Sequence, residues 1–359
     1  MHRSASRFAA AVVAVAALGL TSCSSGADGP SSSGSSKEIQ FYDTSGGQVW
    51  EELDKTLFKN FKDSSGITVV DDYNEASTKF FGAAEAGQVP WSLVFLPTTN
   101  DAERAAEAGM LQKLDSSKIP LDKLREGTYN EYGIEVGTFG MVLAWDGSAY
   151  PEAPTSMADL WDTKKFPGKR CFFNNPQYGW TLEAALLADG VSKDQLYPLD
   201  VPRALKKLDE IKSNITWWSS GAQSLEMFEN GSCDIGIIWA NRAFTAKSEN
   251  GFDMNITWKD AGYSNSVWAI PAKAPNAEGA TALLKAVIED TDGQIAFASK
   301  VPTPIPAGVA GLTADKFPEE VRPFLPVGDT LEGAVKQDTD YYAKNGEATL
   351  DEFNRWVGK

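Results

Sequence analysis

The amino-acid sequence predicts an α/β protein in which strands and helices alternate. Three observations indicate this class. Short apolar segments alternate with amphipathic ones, the first of them form a strand–helix–strand unit, and 42% of the 359 residues are hydrophobic. A strand–helix–strand succession favours a largely parallel sheet covered by helices. Beyond an N-terminal leader and tether, about 320 residues remain, which is enough for two packed lobes.

The strand–helix–strand unit opens the globular part of the chain. Residues 39–42 form an apolar strand, and the turn at residues 44–47 leads into a helix that Gly66 ends. Residues 67–70 are the next strand. The apolar positions of the helix recur mostly at spacings of three and four, which is the helical pattern: Trp50, Leu53, Leu57, Phe58 and Phe61.

The same alternation continues along the chain. Apolar runs predict strands at residues 92–96, 139–145, 234–239 and 267–271. Helical spacing predicts helices at residues 78–86, 101–109, 182–189, 202–213, 224–230 and 277–288. The C-terminal third is predicted to be helical, with proline-rich connectors at residues 301–306 and 317–326. We expect the strand at 139–145 to cross between the lobes.

Residues 1–22 have the pattern of a lipoprotein signal peptide. Arg3 and Arg7 precede the apolar run 8–20, which is too short to span a bilayer as a permanent helix. Residues 20–23 (Leu-Thr-Ser-Cys) resemble a bacterial lipobox, in which the cysteine is acylated, so Cys23 is the expected lipidation site. Plain secretion with cleavage after a small residue is the alternative. Residues 23–37 are rich in Ser and Gly and predict a flexible tether.

Cys171 and Cys233 are the two cysteines that follow Cys23. In an oxidising compartment an even pair predicts a disulfide. Two buried free thiols are the alternative. A bridge would close a loop of about 60 residues and stabilise the fold by about 4 kcal/mol in the chain-entropy model.

Charge and histidine content exclude several function classes. The chain has 33 Lys and Arg against 49 Asp and Glu and a net charge of −16; loss of Arg3 and Arg7 with the leader makes this −18. His2 is the single histidine, so the mature chain holds none. Ser-His-Asp and Cys-His catalysis and histidine-ligated zinc are therefore excluded. The acidity also argues against nucleic acid, whose phosphates need cationic partners.

Four segments in order resemble type II ABC-importer solute-binding proteins. The first is the pattern F-x-x-x-S-G-I-x-V at residues 61–69, and the second is P-T-S-M-A-D-L-W at 154–161 with F-P-G-K at 166–169. The third is E-N-G at 229–231 with I-I-W at 237–239, and the fourth is A-I-P at 269–271 with Asn276. The resemblance as a whole covers residues 38–359. The nearest branch is the spermidine/putrescine-binding protein family.

The resemblance implies a two-lobed periplasmic-binding-protein type II fold with hinge-crossing strands and a central ligand cleft. It assigns residues 38–142 and 242–312 to lobe 1, and residues 143–241 and 313–359 to lobe 2. Under this assignment the two cysteines share lobe 2, so a bridge would leave the hinge free.

Most positions at which the family binds polyamines have changed. Thr44 and Gly47 replace an aromatic pair, and Ser264 and Ser266 replace a Trp and an Asp. Two acidic residues expected in lobe 2 fall near Gln177 and Trp180, Val301 replaces a tyrosine, and Trp239 is retained. Burying an ammonium group without a carboxylate costs several kcal/mol, so a polyamine is disfavoured.

The replacements favour an anionic group on the ligand. Ser45-Gly46-Gly47 at a helix start offers backbone N–H groups to an anion, although a tight turn explains the glycines equally well. Arg242 could bind an anion bidentately, or form a salt bridge instead. Aromatic side chains could wall an apolar or cyclic body, although each could equally be core, and Tyr341 and Tyr342 are further candidates. The predicted ligand-binding residues are Thr44, Ser45, Gly46, Gly47, Thr99, Gln177, Tyr178, Trp180, Trp239, Arg242, Tyr263, Ser264, Ser266 and Tyr341.

The sequence therefore predicts a binding protein and not an enzyme. It would capture a small anionic or zwitterionic solute between closing lobes and deliver it to an ABC permease and its ATPase. We expect an exported monomer, held by its lipid at the outer face of the cytoplasmic membrane, without cofactor or metal. The alternatives are a polyamine or other cationic-amine binding protein, a sensor or adhesion lipoprotein, and a secreted carboxylate-based hydrolase. The hydrolase would need two acids 5–10 Å apart, and the predicted cleft offers no such pair.

Overall fold

The computed structural model describes residues 37–74 and 77–358, so the predicted leader and Cys23 lie outside the described residues. Its strands form one sheet. In chain order they are β1 Glu38–Asp43, β2 Thr68–Tyr73, β3 Leu93–Leu96, β4 Gly133–Asp146, β5 Arg170–Phe173, β6 Ile215–Trp218, β7 Ile235–Trp239, β8 Met254–Ala269 and β9 Val335–Lys336.

The helices follow the strands in the order that the alternation predicts. They are α1 Gly47–Lys55, α2 Leu57–Ser65, α3 Thr78–Glu85, α4 Thr99–Glu107, α5 Thr181–Ala188, α6 Val201–Asp209, α7 Gly221–Glu229, α8 Ala240–Ser248, α9 Ala277–Glu289, α10 Thr291–Ala298 and α11 Thr339–Val357. Short 3-10 helices lie in the connections, among them Met157–Trp161 and Pro176–Tyr178. The predicted α/β class is confirmed.

The predicted single helix after the first strand is two helices. Thr56 lies between α1 and α2 with φ −119° and ψ −96°, which is outside the helical region. Its hydroxyl donates to the carbonyl of Glu52 one turn earlier. This local bond competes with the regular helical pattern and bends the chain. Gly66 ends α2 in the left-handed conformation, at φ 72°, as expected.

The prediction of a helical C-terminal third is wrong for most of residues 299–338. Between α10 and α11 the described chain forms only isolated turns, 3-10 segments and the short strand β9. Prolines recur throughout this segment, and each lacks an N–H donor and interrupts a helix. They are Pro302, Pro304, Pro306, Pro318, Pro323 and Pro326.

The sheet is parallel only towards its two ends. The strand order is β2-β1-β3-β8-β4-β7-β5-β6, and β9 pairs with β8. The β1 strand pairs in parallel with β2 and β3, and β5 pairs in parallel with β6 and β7. In the middle, β4 and β8 run antiparallel to each other and to their outer neighbours. The predicted largely parallel sheet is therefore a mixed one.

The two central strands join the ends of the sheet. They have 14 and 16 residues, and β8 pairs with β3 while β4 pairs with β7. The register between β4 and β8 shifts between Val136 and Phe139, where Gly137 has φ 57°. A β-bulge of this kind bends a strand and redirects its side chains. The bulge lies at the centre of the sheet, between its two ends.

The disulfide is confirmed. Cys171 of β5 and Cys233, just before β7, are bonded, with Cα atoms 5.6 Å apart. Both cysteines are buried and belong to the hydrophobic core. Gly236 of β7 leaves room for this bridge, because a Cβ there would lie 2.6 Å from the Cys171 Sγ. The bridge thus ties together elements of one end of the sheet.

Candidate ligand-binding site

A cavity of about 1000 Å³ opens where the strands of the two sheet ends face each other. The turn after β1 and the start of α4 line it on one side. The segment 177–178, the start of α8 and the start of α11 line it on the other. The bulged part of β4 and residues 264–266 of β8 form its floor. Residues from both ends of the described chain and from the central strands β4 and β8 therefore contribute to one cavity.

The structure brings ten of the fourteen predicted binding residues together around this cavity. They are Thr44, Ser45, Gly46, Gly47, Gln177, Tyr178, Trp239, Arg242, Ser264 and Ser266. Their participation in ligand binding stays a prediction. The other four, Thr99, Trp180, Tyr263 and Tyr341, do not line the cavity.

Trp180 belongs to the core and not to the cavity wall. Its side chain is fully buried, and its indole Nε1 donates to the backbone oxygen of Asp260 over 2.8 Å. The ring lies directly against Gly262, where a Cβ would come within 2.2 Å of it. Trp180 also has a positive φ, 59°, at the start of α5. This backbone turn directs the ring away from the cavity, and the sequence carries no signal for it.

The other three misplaced residues have simpler reasons. Tyr263 neighbours Ser264 on β8, and successive strand residues point to opposite faces. Tyr341 packs on Tyr197 with ring centroids 5.6 Å apart, and its neighbour Tyr342 lines the cavity instead. The Thr99 hydroxyl lies 2.9 Å from that of Thr339 in a contact between α4 and α11.

At the predicted anion site Ser45-Gly46-Gly47, a side chain of the protein already engages part of the donor set. The buried carboxylate of Asp43 accepts hydrogen bonds from the backbone N–H of Ser45 and of Gly46, both at 2.8 Å. It also accepts one from the Ser45 hydroxyl at 2.6 Å. A ligand anion at this turn would find these donors engaged and a like charge beside them.

The two glycines serve the turn. Gly46 and Gly47 have φ values of 54° and 51°, a conformation that favours glycine. A Cβ at Gly46 would also come within 2.4 Å of the Tyr73 ring. The tight-turn explanation of this glycine pair, which the sequence left open, is therefore the correct one.

Arg242 is a cation of the cavity lining that forms no ion pair in the described chain. It lies in the first turn of α8. Across residues 37–74 and 77–358 no carboxylate lies within 4.0 Å of its guanidinium, and its buried Nε has no hydrogen-bond acceptor. The salt bridge considered from the sequence is thus not formed in the described chain. A guanidinium at a cavity without a carboxylate partner favours an incoming anion.

The start of α8 offers a second polar group. The buried Oδ1 of Asn241 likewise has no hydrogen-bond partner in the described part of the chain. Trp239 occupies the N-cap position of α8 and provides no side-chain cap. The positive end of the helix dipole therefore faces the cavity beside Arg242, which favours a negative group.

Aromatic rings pack around Trp239, which directly precedes α8 with its polar residues Asn241 and Arg242. The Trp239 ring lies 5.1 Å from Phe139 and 5.2 Å from Trp218, in tilted and edge-on arrangements. Its indole Nε1 donates to the backbone oxygen of Tyr178 over 3.1 Å. The half-buried Trp239 is therefore fixed in orientation and presents a flat apolar surface to the cavity.

A buried carboxylate fixes the position of α11 at the cavity wall. Glu183 is fully buried, and its Oε1 accepts hydrogen bonds from the hydroxyls of Tyr342 at 2.8 Å and Tyr197 at 2.7 Å. Burial raises the pKa of Glu183. Gln337, next to α11, donates to the backbone oxygen of Gln177 over 3.0 Å. These bonds position Tyr342 and Gln337 at the cavity.

Sequence reasoning missed several residues that line the cavity. Phe139 and Asn241 were not singled out, because a strand phenylalanine and a helix asparagine have many structural roles. Asp101 was missed because it resembles a helix-start residue, and indeed the Thr98 hydroxyl caps α4 by accepting from the Asp101 backbone N–H over 3.1 Å. Only the packing of α4 shows that the Asp101 side chain lines the cavity.

Neither a membrane-spanning helix nor a metal-binding cluster occurs among the described residues. Over 37–74 and 77–358, no helix has both the length and the apolar character needed to cross a membrane. Within the same ranges, His, Cys, Asp and Glu side chains nowhere assemble in a group of three or more that could hold a metal ion.

Comparison with known proteins agrees with this architecture. The family model described as "Bacterial extracellular solute-binding protein" matches residues 56–319. The γ-aminobutyric acid-binding protein of Pseudomonas aeruginosa is 31% identical over 323 residues, which cover 88% of this chain and 89% of that protein. The spermidine/putrescine-binding periplasmic protein of Escherichia coli K12 is 26% identical over 261 residues, covering 69% and 73% of the two chains. Both relatives are named for the solutes they bind.

Solved structures give the same result. The structure of the Atu4243–GABA receptor superposes with a TM-score of 0.77 at 30% identity, covering 89% of this chain and 97% of the receptor. An ABC transporter substrate-binding protein from Bradyrhizobium japonicum USDA 110 superposes with a TM-score of 0.75 at 30% identity, covering 89% and 99%. The two-lobed type II binding-protein fold and the importer role inferred from the sequence are thereby confirmed. The chain belongs to the family of bacterial extracellular solute-binding proteins.

Proposed function

We propose that this protein is the receptor of an ABC importer for a small zwitterionic monocarboxylate of the γ-aminobutyrate type. The observation that carries the proposal is Arg242. Its guanidinium lines the cavity, pairs with no carboxylate of the described chain, and keeps a buried Nε without an acceptor. A carboxylate satisfies this group with two parallel N–H···O bonds.

The mixed charge of the cavity supports a zwitterion over a polyamine. Its lining includes the cations Arg104, Arg242 and Lys344 and the acids Asp101 and Glu107. Both acids lie on α4, at one side of the cavity. A polyamine has an ammonium group at each end, and each needs a carboxylate when it is desolvated. The opposite side of the cavity presents Arg242 instead.

Relatives support the same choice. The relative named for γ-aminobutyric acid is 31% identical, whereas the relatives named for spermidine or putrescine are 24–27% identical. The polyamine-binding alternative rests on the names of these more distant relatives and on the overall negative charge. The unpaired arginine argues against it.

Ligand capture is proposed to proceed by closure of the two lobes about β4 and β8. We keep the lobe boundaries 38–142 with 242–312, and 143–241 with 313–359. Contacts between α4 and α11 would stabilise the closed state. Asn100 of α4 donates to Asp340 of α11 over 3.0 Å, and the Thr99 hydroxyl contacts that of Thr339. A ligand that touches both lobes stabilises the closed state.

The remaining elements of the proposal concern the cell envelope. The receptor acts as a monomer without catalytic activity, and its partners are a permease and an ATPase. Acylated Cys23 anchors it at the outer face of the cytoplasmic membrane through the tether. Metabolic labelling with a palmitate analogue tests the anchor: the wild-type chain should incorporate the label and Cys23→Ala should not.

Isothermal titration calorimetry tests the ligand. γ-Aminobutyrate should bind the purified mature protein, and putrescine and spermidine should bind far more weakly. Arg242→Ala should weaken γ-aminobutyrate binding by about 2–4 kcal/mol. Arg203→Ala is the matched control, because Arg203 is exposed on α6 and pairs with Asp189 at 2.6 Å. Tight polyamine binding without γ-aminobutyrate binding would overturn the proposal.

A further inference from the structure

The carboxylate of Asp101 is poorly solvated and faces the cavity. Its side chain is 17% exposed, although it belongs to the first turn of a surface helix. Burial raises the pKa of Asp101. By contrast Glu107, the other acid of the cavity lining, is exposed. The two acids therefore differ in how strongly they can attract a cation, since water screens an exposed charge far more than a buried one.

The hydrogen-bonding capacity of Asp101 is only partly used. Its Oδ2 accepts from the Thr98 hydroxyl at 3.2 Å, Ser77 also donates to the carboxylate, and its Oδ1 lies 3.8 Å from the Arg104 guanidinium. The Arg104 side chain is 60% exposed, and its guanidinium stacks 4.0 Å above the Phe81 ring. An exposed pair at this distance contributes little. An ionised carboxylate offers about four acceptor positions, so Asp101 can accept more hydrogen bonds.

Aromatic residues share the cavity lining with Asp101, among them Tyr178 and Trp239. Burial and the charge of Asp101 raise the pKa of the Tyr178 phenol. The backbone oxygen of Tyr178 in turn accepts from the Trp239 indole. The cavity thus combines a carboxylate with aromatic side chains, and both kinds of group attract ammonium groups.

We propose that Asp101 binds the ammonium group of the solute, while Arg242 on the opposite side of the cavity binds its carboxylate. This inference rests on the proposed function and specifies the direction in which the solute lies in the cavity. The amine points to α4 and the acid points to α8. The two ends of the solute are then bound by two different helices, α4 and α8, so only a solute with both groups can connect them.

The inference defines a ligand class. The solute is an ω-amino acid whose charged groups are separated by an apolar chain that lies against Trp239 and Phe139. A butyrate without the amine would retain the Arg242 contact and lose the Asp101 contact. An alkylamine without the acid would leave the Arg242 guanidinium without a carboxylate partner, which is unfavourable.

A paired comparison of two ligands and two variants tests the inference. The ligands are γ-aminobutyrate and 4-hydroxybutyrate, which has the same chain length and a neutral hydroxyl in place of the ammonium group. Calorimetry gives the preference ratio of each protein for the first over the second. The variants are Asp101→Asn and the matched control Asp54→Asn, which removes the same charge from an exposed position on α1. Circular dichroism melting verifies that each variant is folded.

The wild type and Asp54→Asn should prefer γ-aminobutyrate by about 30-fold or more, the usual effect of a desolvated charge pair. Asp101→Asn should reduce this ratio to less than about threefold while leaving 4-hydroxybutyrate binding unchanged. If Asp101→Asn disturbs the side-chain contact with the Thr98 hydroxyl and unfolds, Asp101→Ser is the second variant, with the same expected ratio.

The outcomes separate the two proposals. If the wild type binds γ-aminobutyrate and Asp101→Asn keeps the full preference, the role of Asp101 is overturned and the proposed function stands. If the wild type does not bind γ-aminobutyrate, both are overturned. A wild type that binds both ligands equally would also overturn the role of Asp101, because no group would then recognise the amine.

Discussion

Gly221 lies directly against Arg242. A Cβ built at Gly221 would lie 2.6 Å from the Arg242 Nε and 3.2 Å from both its Cδ and the Trp239 ring. Gly221 is the first residue of α7, after the N-cap Ser220, and it is buried. The absence of a side chain at this position therefore lets the arginine lie along α7 with its guanidinium at the cavity.

Gly221→Ala should displace Arg242 and weaken γ-aminobutyrate binding. Overpacking costs the fold about 1–3 kcal/mol, and the preference of alanine for a helix offsets about 0.5–1 kcal/mol of this loss of stability. Calorimetry and thermal melting measure the two effects. Gly82→Ala is the control, since Gly82 lies within α3 and a Cβ there meets nothing within 4 Å. Equal affinities of the two variants would refute this dependence.

Ligand binding should change tryptophan fluorescence through Trp239. The half-buried indole lies at the cavity, so its surroundings change when a solute enters. Trp239→Phe should remove most of the ligand-dependent signal. Trp180→Phe should retain it, because Trp180 is buried against Gly262 away from the cavity. A signal that instead depends on Trp180 would contradict the placement of these two rings.

Loss of the disulfide should lower stability and leave ligand affinity intact. The bridge closes a loop of 62 residues, and in the chain-entropy model a loop of this size stabilises by about 4 kcal/mol. The double variant Cys171→Ala/Cys233→Ala should lower the free energy of unfolding by about 2–5 kcal/mol in urea denaturation. Because both cysteines belong to one end of the sheet, γ-aminobutyrate affinity at low temperature should match the wild type. A large affinity loss in the folded variant would mean that the bridge also shapes the cavity.

Asp71 should make stability depend on pH. Burial, together with the charges of Asp43 and Asp72, raises the pKa of Asp71 from 3.8 to about 6. Between these values the folded state binds more protons than the unfolded chain, so this residue's contribution to stability falls as pH rises and is lost above about pH 6.

Asp71→Asn should therefore raise the melting temperature at about pH 7.5 and have little effect at about pH 4, where Asp71 is protonated in the folded state. Asp54→Asn serves as the control for removing one negative charge from the same end of the sheet. Differential scanning calorimetry at the two pH values gives the answer. An equal shift at both would indicate that the carboxyl titrates normally.

Local patterns predicted the fold well where packing and sequence periodicity agree. The apolar run before Trp239 and the left-handed stop at Gly66 are strong signals, and both elements end where predicted. The start of β8 had no such signal. Its residues 254–262 mix polar and small side chains, and pairing with β4 makes them a strand. Tertiary pairing outweighed local preference there.

The candidate site was harder to predict, because it depends on which groups are already paired. The sequence identified the Gly46-Gly47 turn as a set of free donors and could not reveal that Asp43 folds back onto it. It identified Arg242 correctly as a residue of the cavity and left its partner open. Strand parity would have separated Ser264 from Tyr263, whereas the turn at Trp180 depends on a backbone conformation that the residue type disfavours.

The carboxylate of Asp43 has a consequence for selectivity. It accepts hydrogen bonds from the backbone N–H of Ser45 and of Gly46, so two donors of the turn after β1 are engaged within the protein. A carboxylate of the solute has a cationic partner at Arg242 instead. The second acid of a dicarboxylate of similar length would meet a turn whose donors are partly occupied. We therefore expect the protein to bind solutes with one carboxylate more tightly than those with two.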